Sequence, residues 1–335
     1  MHLKFNLTKK ILSWYDNNKR ILPWRVSKNP KKRLYYRILS EFMLQQTQVK
    51  TVVPYFEKFT KKFKSLEELS RASEKDVLKL WEGLGYYRRA RNLLMTSKIL
   101  VNKLEYKLPK DLNDMKKLPG VGDYTANALS ALVHNMPSIA IDGNVKRVFA
   151  RIFNLNISKK KDIDDFIFKN KKHLISLNRS SDYVEALMEF GALMCRPKNP
   201  ICKNCIFRKE CRFNKSNFRN IKIKKEHKNL QYDIFCYVNK KKQIALSKYH
   251  NLNFLKSFNL PKIKERKENP NNQKKEWVLL KNYKNSISNK KLNINLYYKF
   301  SEKKPLKFTW HSLGDKKEFM PTFTKKIIKQ ISVLF

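Results

Sequence analysis

Apolar residues recur three and four positions apart over residues 8–211, and the connections between these runs are short. This period is typical of amphipathic helices, so the pattern predicts an all-α region over that part of the chain. One predicted helix runs to about Gln48 and carries its apolar stripe at positions 38, 39, 42 and 43. Glu41, Gln45 and Gln48 lie away from that stripe and are therefore expected to share the polar face of this helix.

A different pattern begins after residue 211, where short apolar runs alternate with charged turns. The runs predict strands at 232–238, 243–247, 277–280, 292–300 and 306–310. Residues 264–275 are predicted to form a charged linker or loop, and residues 324–335 a closing amphipathic helix. We therefore expect two domains, an all-α domain over residues 1–215 and a smaller α+β domain over residues 216–335.

The chain has 335 residues, which is enough for about two domains with separate cores. No apolar run approaches the length of a membrane span, and the first residues lack the apolar core of a signal peptide, so a cytoplasmic protein is expected. The formal net charge of +46 favours a polyanionic partner such as nucleic acid. Repeated Lys and Asn tracts in the C-terminal third indicate that compositional drift supplies part of this charge.

Four of the five cysteines fall between positions 195 and 211, with six, two and five residues between successive sulfurs. Such a tight run brings four thiolates together without help from distant segments, which suits a metal centre better than a disulfide framework. Structural zinc sites usually combine two close pairs, and here only Cys202 and Cys205 form one, so an iron–sulfur cluster is favoured over zinc. The fifth, Cys236, lies in an apolar run and is expected in the core of a strand.

Glycine is scarce, with seven residues in the chain, and six of them precede the cysteine run. Gly120 and Gly122 enclose one apolar residue between two helical stretches, an arrangement in which backbone N–H groups can bind a phosphate. Alone, such a pair of glycines is more often a plain turn. Further on, Asp142 follows the apolar segment 139–141 and stands at the N-terminus of another predicted helix.

Segment 118–122 (LPGVG), Asp142 within segment 141–147 (IDGNVKR) and the cysteine run resemble, in order and spacing, the endonuclease III superfamily of helix-hairpin-helix DNA glycosylases. Segments 40–48 (SEFMLQQTQ) and 83–87 (GLGYY) are similar to its adenine branch, the MutY-type glycosylases. The resemblance is strong over residues 8–212. It implies an all-α helix-hairpin-helix glycosylase domain with a 4Fe-4S cluster loop at 195–211, followed by a smaller α+β Nudix-like domain. The implied cluster ligands are Cys195, Cys202, Cys205 and Cys211.

The resemblance also implies the catalytic residues. Glu41 is expected to protonate the leaving adenine, and Asp142 to stabilise the positive charge that develops on the sugar. Tyr124 stands where bifunctional relatives carry the lysine that attacks the sugar as a Schiff-base nucleophile. We therefore expect a monofunctional hydrolase that leaves an abasic site, with Tyr124 beside the reacting sugar and Glu185 as a candidate partner of Tyr124.

The target adenine must leave the base stack, because a base inside a duplex cannot be reached. By resemblance, Gln46 and Tyr86 wedge into the stack, and Trp24 and Arg25 belong to the adenine pocket. The glycines of segment 118–122 are expected to bind the DNA backbone. The cluster loop, which is rich in basic residues, is expected to act as a scaffold held against the phosphates rather than to touch the base.

In MutY-type proteins the second domain resembles a Nudix fold and reads 8-oxoguanine opposite the adenine. Here segment 287–289 keeps Ser288 of the expected reading loop but lacks its aromatic ring and imidazole, so a degenerate Nudix-like lesion-recognition domain is expected. The expected partner is double-stranded DNA with adenine opposite 8-oxoguanine or guanine, bound by a monomer. Two alternatives stay open: an endonuclease III-like pyrimidine glycosylase with lyase activity, and a catalytically silent DNA-damage binding protein.

Overall fold

The computed structural model describes residues 6–25, 29–156, 159–213, 228–252, 255–256, 258–266, 276–287, 290–315 and 319–335. The chain divides into two compact units, residues 1–221 and residues 222–335. Within the described ranges, no helix is both long enough and apolar enough to cross a membrane.

The described part of the first unit is helical, with loops between the helices. Helices α1 to α6 are Leu7–Asn18, Pro30–Leu44, Val49–Lys62, Leu66–Arg71, Glu74–Leu80 and Arg88–Asn102. Helices α7 to α12 are Leu112–Lys116, Asp123–His134, Gly143–Phe153, Lys160–Lys169, Lys171–Leu174 and Ser180–Leu193. The all-α prediction for this part of the chain is confirmed.

Side-chain caps explain where several of these helices begin. Ahead of α2, the Asn29 side chain accepts the backbone N–H of Lys32 at 3.0 Å, and Pro30 occupies the first helical turn. Both features favour a helix start, because they satisfy or remove N–H groups that have no partner inside the helix. Ser65 and Ser73 cap α4 and α5 in the same way.

Helix α2 ends at Leu44, earlier than its predicted end at Gln48. Gln45 is its C-cap and Gln48 precedes α3, so the prediction that Glu41, Gln45 and Gln48 share one helical face is wrong. Glu41 itself is buried, with an exposed fraction of 4%. The physical reason is that α2 packs against α3, α6 and α8, which cover the side opposite its apolar stripe as well.

A hydrophobic core cluster joins α1, α9 and α12 to the cysteine segment. Ile11, Phe149 and Phe190 are almost completely buried in it. Phe207, which lies between the third and fourth cysteines, packs edge-on against Phe190 with ring centroids 5.5 Å apart. The cysteine segment is therefore anchored on the same core as α9, the helix that follows Asp142.

The second unit contains a mixed sheet and one described α-helix. Its strands β1 to β6 are Lys228–Asn239, Gln243–Leu246, Lys262–Glu265, Val278–Ile287, Lys290–Phe300 and Thr309–Ser312. They are ordered β4-β5-β1-β2-β6, with β3 paired to β1. Strands β1 and β5 run parallel, and the other pairs are antiparallel. Helix α13, Thr322–Ile331, and a short 3-10 helix, Ser332–Leu334, close the chain.

Several strand boundaries differ from the prediction, and β1, for example, begins at Lys228 instead of 232. Strand β3 was missed because its pairing with β1, rather than any alternation of its own, makes it a strand. Strand β4 extends to Ile287, well beyond the predicted 277–280. Strand β6 begins at Thr309 instead of 306, since Lys307 has a φ of 66° that no strand residue adopts. Cys236 is fully buried in β1, as predicted.

Candidate active site

The buried carboxyl group of Glu41 is the centre of the candidate site. No described residue hydrogen-bonds its Oε2 atom, which is inaccessible to solvent. Burial disfavours the charged form and raises the pKa of Glu41 to about 7, although Arg37 one helical turn earlier opposes this. The carboxyl group therefore keeps its proton to near-neutral pH and can act as an acid there.

Tyr124 on α8 and Asp142 before α9 lie close enough to Glu41 to influence its protonation. Asp142 caps α9 by accepting the backbone N–H of Val145 at 2.7 Å, and it also accepts the Asn144 amide at 2.8 Å. Burial raises the pKa of Asp142, and these hydrogen bonds oppose the increase. The pKa of Tyr124 lies well above its usual value, chiefly through burial. Helices α2 and α8 and the start of α9 thus bring an acid, a phenol and a carboxylate close together.

Glu185 does not pair with Tyr124 through any hydrogen bond of the described residues. The Tyr124 hydroxyl instead approaches the Met188 sulfur at 3.7 Å. Glu185 on α12 is held by an ion pair with Arg25 at 2.9 Å and by hydrogen bonds from Arg37 and Tyr15. This buried ion-pair cluster lies beside Glu41. Sequence reasoning missed Arg37, because no local pattern links it to a glutamate so far along the chain.

Trp24 and Arg25, the residues predicted for the adenine pocket, follow α1. Trp24 is buried, and its ring packs edge-on against Phe56 with centroids 5.4 Å apart. Arg25 joins the ion-pair cluster by binding Glu185, and it also contacts Glu189 at 3.1 Å. Arg25 is thus connected to the surroundings of Glu41 through a shared carboxylate.

Gln46 and Tyr86, the predicted wedge residues, both project from loops and are exposed. Both have positive φ angles, 57° and 48°, which cost energy for residues other than glycine. The buried Arg89 ties the two loops together by donating to the Gln45 carbonyl at 2.6 Å and the Gly85 carbonyl at 3.2 Å. Arg89 was not singled out from the sequence, because it occupies an ordinary helical position in α6.

The hairpin between α7 and α8 contains both predicted phosphate-binding glycines. Gly120 has a φ of 82°, and an added Cβ atom there would lie 2.8 Å from Asn92 and Phe42. Gly122 is the N-cap of α8 and is exposed. Gln45 donates to the Gly120 carbonyl at 3.3 Å, so the hairpin lies next to the loop that carries Gln46.

The four clustered cysteines form no disulfide, and all of them line one cavity together with Arg151. No group of three or more His, Cys, Asp or Glu side chains in the described residues is arranged to hold a metal ion. The donor set nevertheless fits an iron–sulfur cluster, since N–H groups already point at sulfur. Arg151 donates to Cys195 Sγ at 3.4 Å, and the Phe207 N–H to Cys205 Sγ at 3.4 Å.

Ser288, the residue predicted for lesion reading, lies outside the described residues. The strands on either side of it, β4 and β5, pair up to Ile287 and Lys290.

Comparison with known proteins identifies the class that this fold and site define. Residues 39–171 match the family described as HhH-GPD superfamily base excision DNA repair protein. The fold is similar to the solved structure of a thermostable thymine-DNA glycosylase, with a TM-score of 0.54 and 24% sequence identity, over 62% of this chain and 94% of that chain. The first unit is therefore a helix-hairpin-helix glycosylase domain.

Two curated relatives extend the similarity across most of the chain. The adenine DNA glycosylase of Buchnera aphidicola subsp. Baizongia pistaciae is 34% identical over 339 residues, which cover 96% of this chain and 95% of that protein. The adenine DNA glycosylase of Buchnera aphidicola subsp. Schizaphis graminum is 34% identical over 310 residues, which cover 90% and 84%. The chain belongs to the adenine DNA glycosylase family of base excision repair enzymes.

Proposed function

We propose that the protein hydrolyses the N-glycosidic bond of adenine paired with 8-oxoguanine or guanine in double-stranded DNA, as a monomer, and leaves an abasic site. The observation that carries this proposal is the buried Glu41 carboxyl group, which holds its proton to near-neutral pH beside Tyr124 and Asp142. The names of the two Buchnera relatives support adenine as the base that is removed.

The reaction needs two carboxyl groups in different states. Adenine is a poor leaving group as an anion, so Glu41 donates its proton to the base as the bond to the sugar breaks. The sugar then carries positive charge, which the ionised Asp142 stabilises. The hydrogen bonds that Asp142 accepts from Val145 and Asn144 favour its ionised form, whereas at Glu41 burial outweighs the Tyr124 hydroxyl group, which acts in the same direction.

Tyr124 supports a hydrolysis that stops at the abasic site. Tyr124 has a phenol where a lyase has a primary amine, so it cannot form a Schiff base with the sugar, and its raised pKa keeps the hydroxyl group neutral at physiological pH. Its hydroxyl group can instead orient groups in the pocket by donating or accepting a hydrogen bond. Water therefore completes the reaction, and the DNA strand is left uncut.

The exposed loops next to the pocket suit the extrusion of a base. Gln46 and Tyr86 fill the space in the stack, and the N-terminus of α8 behind Gly122 binds a backbone phosphate. The net charge of +46 supports the electrostatic part of duplex binding. Trp24 and Arg25 belong to the pocket that receives the adenine.

We further propose that Cys195, Cys202, Cys205 and Cys211 bind a 4Fe-4S cluster. When bound, the cluster fixes the fold of a loop that faces the phosphates, and it takes no part in breaking the glycosidic bond. The loop is already linked to α9, since Arg147 donates to the Cys195 carbonyl at 2.9 Å. The second unit is proposed to be a degenerate Nudix-like domain that reads the base opposite adenine, with Ser288 in its reading loop.

A single-turnover base-release assay tests this function on three duplexes, which contain A opposite 8-oxoguanine, A opposite G, and thymine glycol. We expect adenine release from the first two and none from the third. Borohydride should trap no covalent complex, because Tyr124 replaces the lysine of a lyase. The protein is checked beforehand for the visible absorbance of its cluster.

The matched control is Glu41→Gln, which keeps the shape of the side chain but has no proton of suitable acidity to donate. It should bind the duplex like the native protein and release no adenine. Native protein with a loaded cluster that leaves adenine in place would contradict the proposal. Release of thymine glycol together with a trapped complex would point to a pyrimidine glycosylase with lyase activity instead.

A further inference from the structure

A buried arginine lies one helical turn before the proposed acid. Arg37 has an exposed fraction of 7% and precedes Glu41 by four positions on α2. Side chains at this spacing are neighbours on a helix, and opposite charges there attract each other. In the absence of other partners, Arg37 would therefore bind Glu41 and hold it as a carboxylate, the form that cannot protonate a base.

Arg37 is bonded elsewhere. Its NH1 group donates to Oε1 of Glu185 on α12, a residue whose exposed fraction is 8%. The other oxygen of Glu185 pairs with Arg25 Nε at 2.9 Å and accepts the Tyr15 hydroxyl. Glu185 is thus fixed from three directions, and breaking this arrangement would leave buried charges unpaired.

Glu41 is left without the partner that its helix offers. Its Oε2 atom is buried and accepts no hydrogen bond from the described residues, and the Arg37 Nε atom is likewise buried without one. Two unpaired polar atoms one turn apart carry a desolvation cost, which persists only if another interaction holds them apart. The ion pair of Glu185 with Arg37 supplies that interaction.

We propose that Glu185 captures Arg37 and thereby leaves the Glu41 carboxyl group free to keep the proton that it donates. This inference rests on the proposed function, in which Glu41 is the acid. Arg37 and Glu185 are positioning residues in this scheme, since they act on the proton transfer through Glu41.

The electrostatics of the pocket agree with this role. After burial, the effects on the pKa of Glu41 are, in order, a decrease from Arg37, an increase from Glu185, a decrease from the Tyr124 hydroxyl and an increase from Asp142. These groups come from α2, α12, α8 and the start of α9. The two positioning residues therefore act on Glu41 in opposite directions.

The test is the pH dependence of single-turnover adenine release, whose alkaline limb reports the loss of the Glu41 proton. In Glu185→Gln, Arg37 is released towards Glu41, so the limb should move to lower pH by at least about half a unit, which is about a threefold loss of rate on the alkaline side. In Arg37→Met the limb should move to higher pH. Arg37→Lys keeps the positive charge and should restore most of the native profile.

Two further variants keep the test decisive. The double variant Arg37→Met/Glu185→Gln removes both charges, so it should fold even if Glu185→Gln is unstable, and its limb should lie between those of the single variants. Glu189→Gln is the matched control, because Glu189 is buried on the same helix and pairs with Arg20 and Arg25, and it is expected to leave the limb in place. A uniform loss of rate at every pH, or shifts in the same direction, would overturn the proposal.

A second readout needs no activity. Carbon-13 NMR of the full chain with labelled glutamate carboxyl groups follows the titration of Glu41, whose resonance is the one missing in Glu41→Gln. The titration should move down in Glu185→Gln and up in Arg37→Met. If native protein releases no adenine, the proposed function fails and this titration still tests the pair. If it releases adenine and the titration does not move, only the present inference fails.

Discussion

Replacing Glu41 by Gln is expected to stabilise the protein at neutral pH while it abolishes base release. The native side chain has an exposed fraction of 4% and an Oε2 atom without a hydrogen-bond partner in the described residues. Above the pKa that Glu41 has in the unfolded chain, the folded protein must either bury the charge of Glu41 or keep a proton that the unfolded chain has already lost. Gln has nearly the same shape and never carries the charge, so the variant avoids this cost.

The size of the effect follows from the pKa. Burial raises the pKa of Glu41 from 4.5 to about 7. A group whose pKa is raised by folding contributes stability below its unfolded pKa, and that contribution is lost as the pH rises through the folded pKa. The free energy of unfolding of Glu41→Gln, relative to that of the native protein, should therefore grow by about 3 kcal/mol between pH 4 and pH 8. Each unit of pKa difference between the folded and unfolded chains corresponds to about 1.4 kcal/mol.

Urea unfolding followed by circular dichroism at 222 nm, which reports mainly the helical unit, measures this difference at each pH. The value at pH 4 is the internal reference, because the Glu41 carboxyl group is mostly protonated there in both folded and unfolded chains. Other titrating groups cancel in the comparison. A difference that stays flat across this range, or that shrinks as the pH rises, would refute the reasoning that Glu41 is protonated in the folded protein near neutrality.

Four other substitutions have expected outcomes that urea unfolding and single-turnover release can check. Asp142→Asn should change stability by less than about 1 kcal/mol, because Asn also caps a helix, but should slow release at least about 100-fold. Gly120→Ala should cost about 1–3 kcal/mol through its positive φ and crowding, whereas Gly122→Ala, where an added Cβ atom meets open space, should cost much less. Arg89→Met should cost about 2–4 kcal/mol by leaving buried carbonyl groups unpaired, and should weaken duplex binding.

The fold of the first unit could be predicted from local patterns, because the period of the apolar residues and the capping residues mark its helices in the sequence. Helix α6, Arg88–Asn102, for example, lies inside the region that the apolar period predicts to be helical. Asp142 could be assigned to a helix start from its neighbours alone, and it caps α9. Strand β3 could not be found in this way, since its pairing with β1 is a property of the sheet and leaves no alternation in four residues.

The surroundings of the candidate acid were hidden for a different reason. An argument from periodicity assumes that a helix has one buried face and one exposed face. This assumption fails for α2, because neighbouring helices cover both faces. Glu41 was therefore assigned to a polar face although it is buried. The charges that balance it come from residues far along the chain, such as Glu185, so only the folded structure brings them together.

The backbone of the two loops that carry Gln46 and Tyr86 is strained, which local sequence patterns do not predict. Gln46 and Tyr86 hold positive φ angles without being glycine, at a cost of about 1–3 kcal/mol each. The side chains are exposed, so their burial cannot compensate for this cost. The compensation has to come from interactions of the surrounding backbone. Arg89 provides it by binding carbonyl groups of both loops, and its guanidinium also lies 5.5 Å from the Tyr86 ring centroid. One buried cation thus holds both loops at once, so the two proposed wedge residues are expected to enter a base stack together.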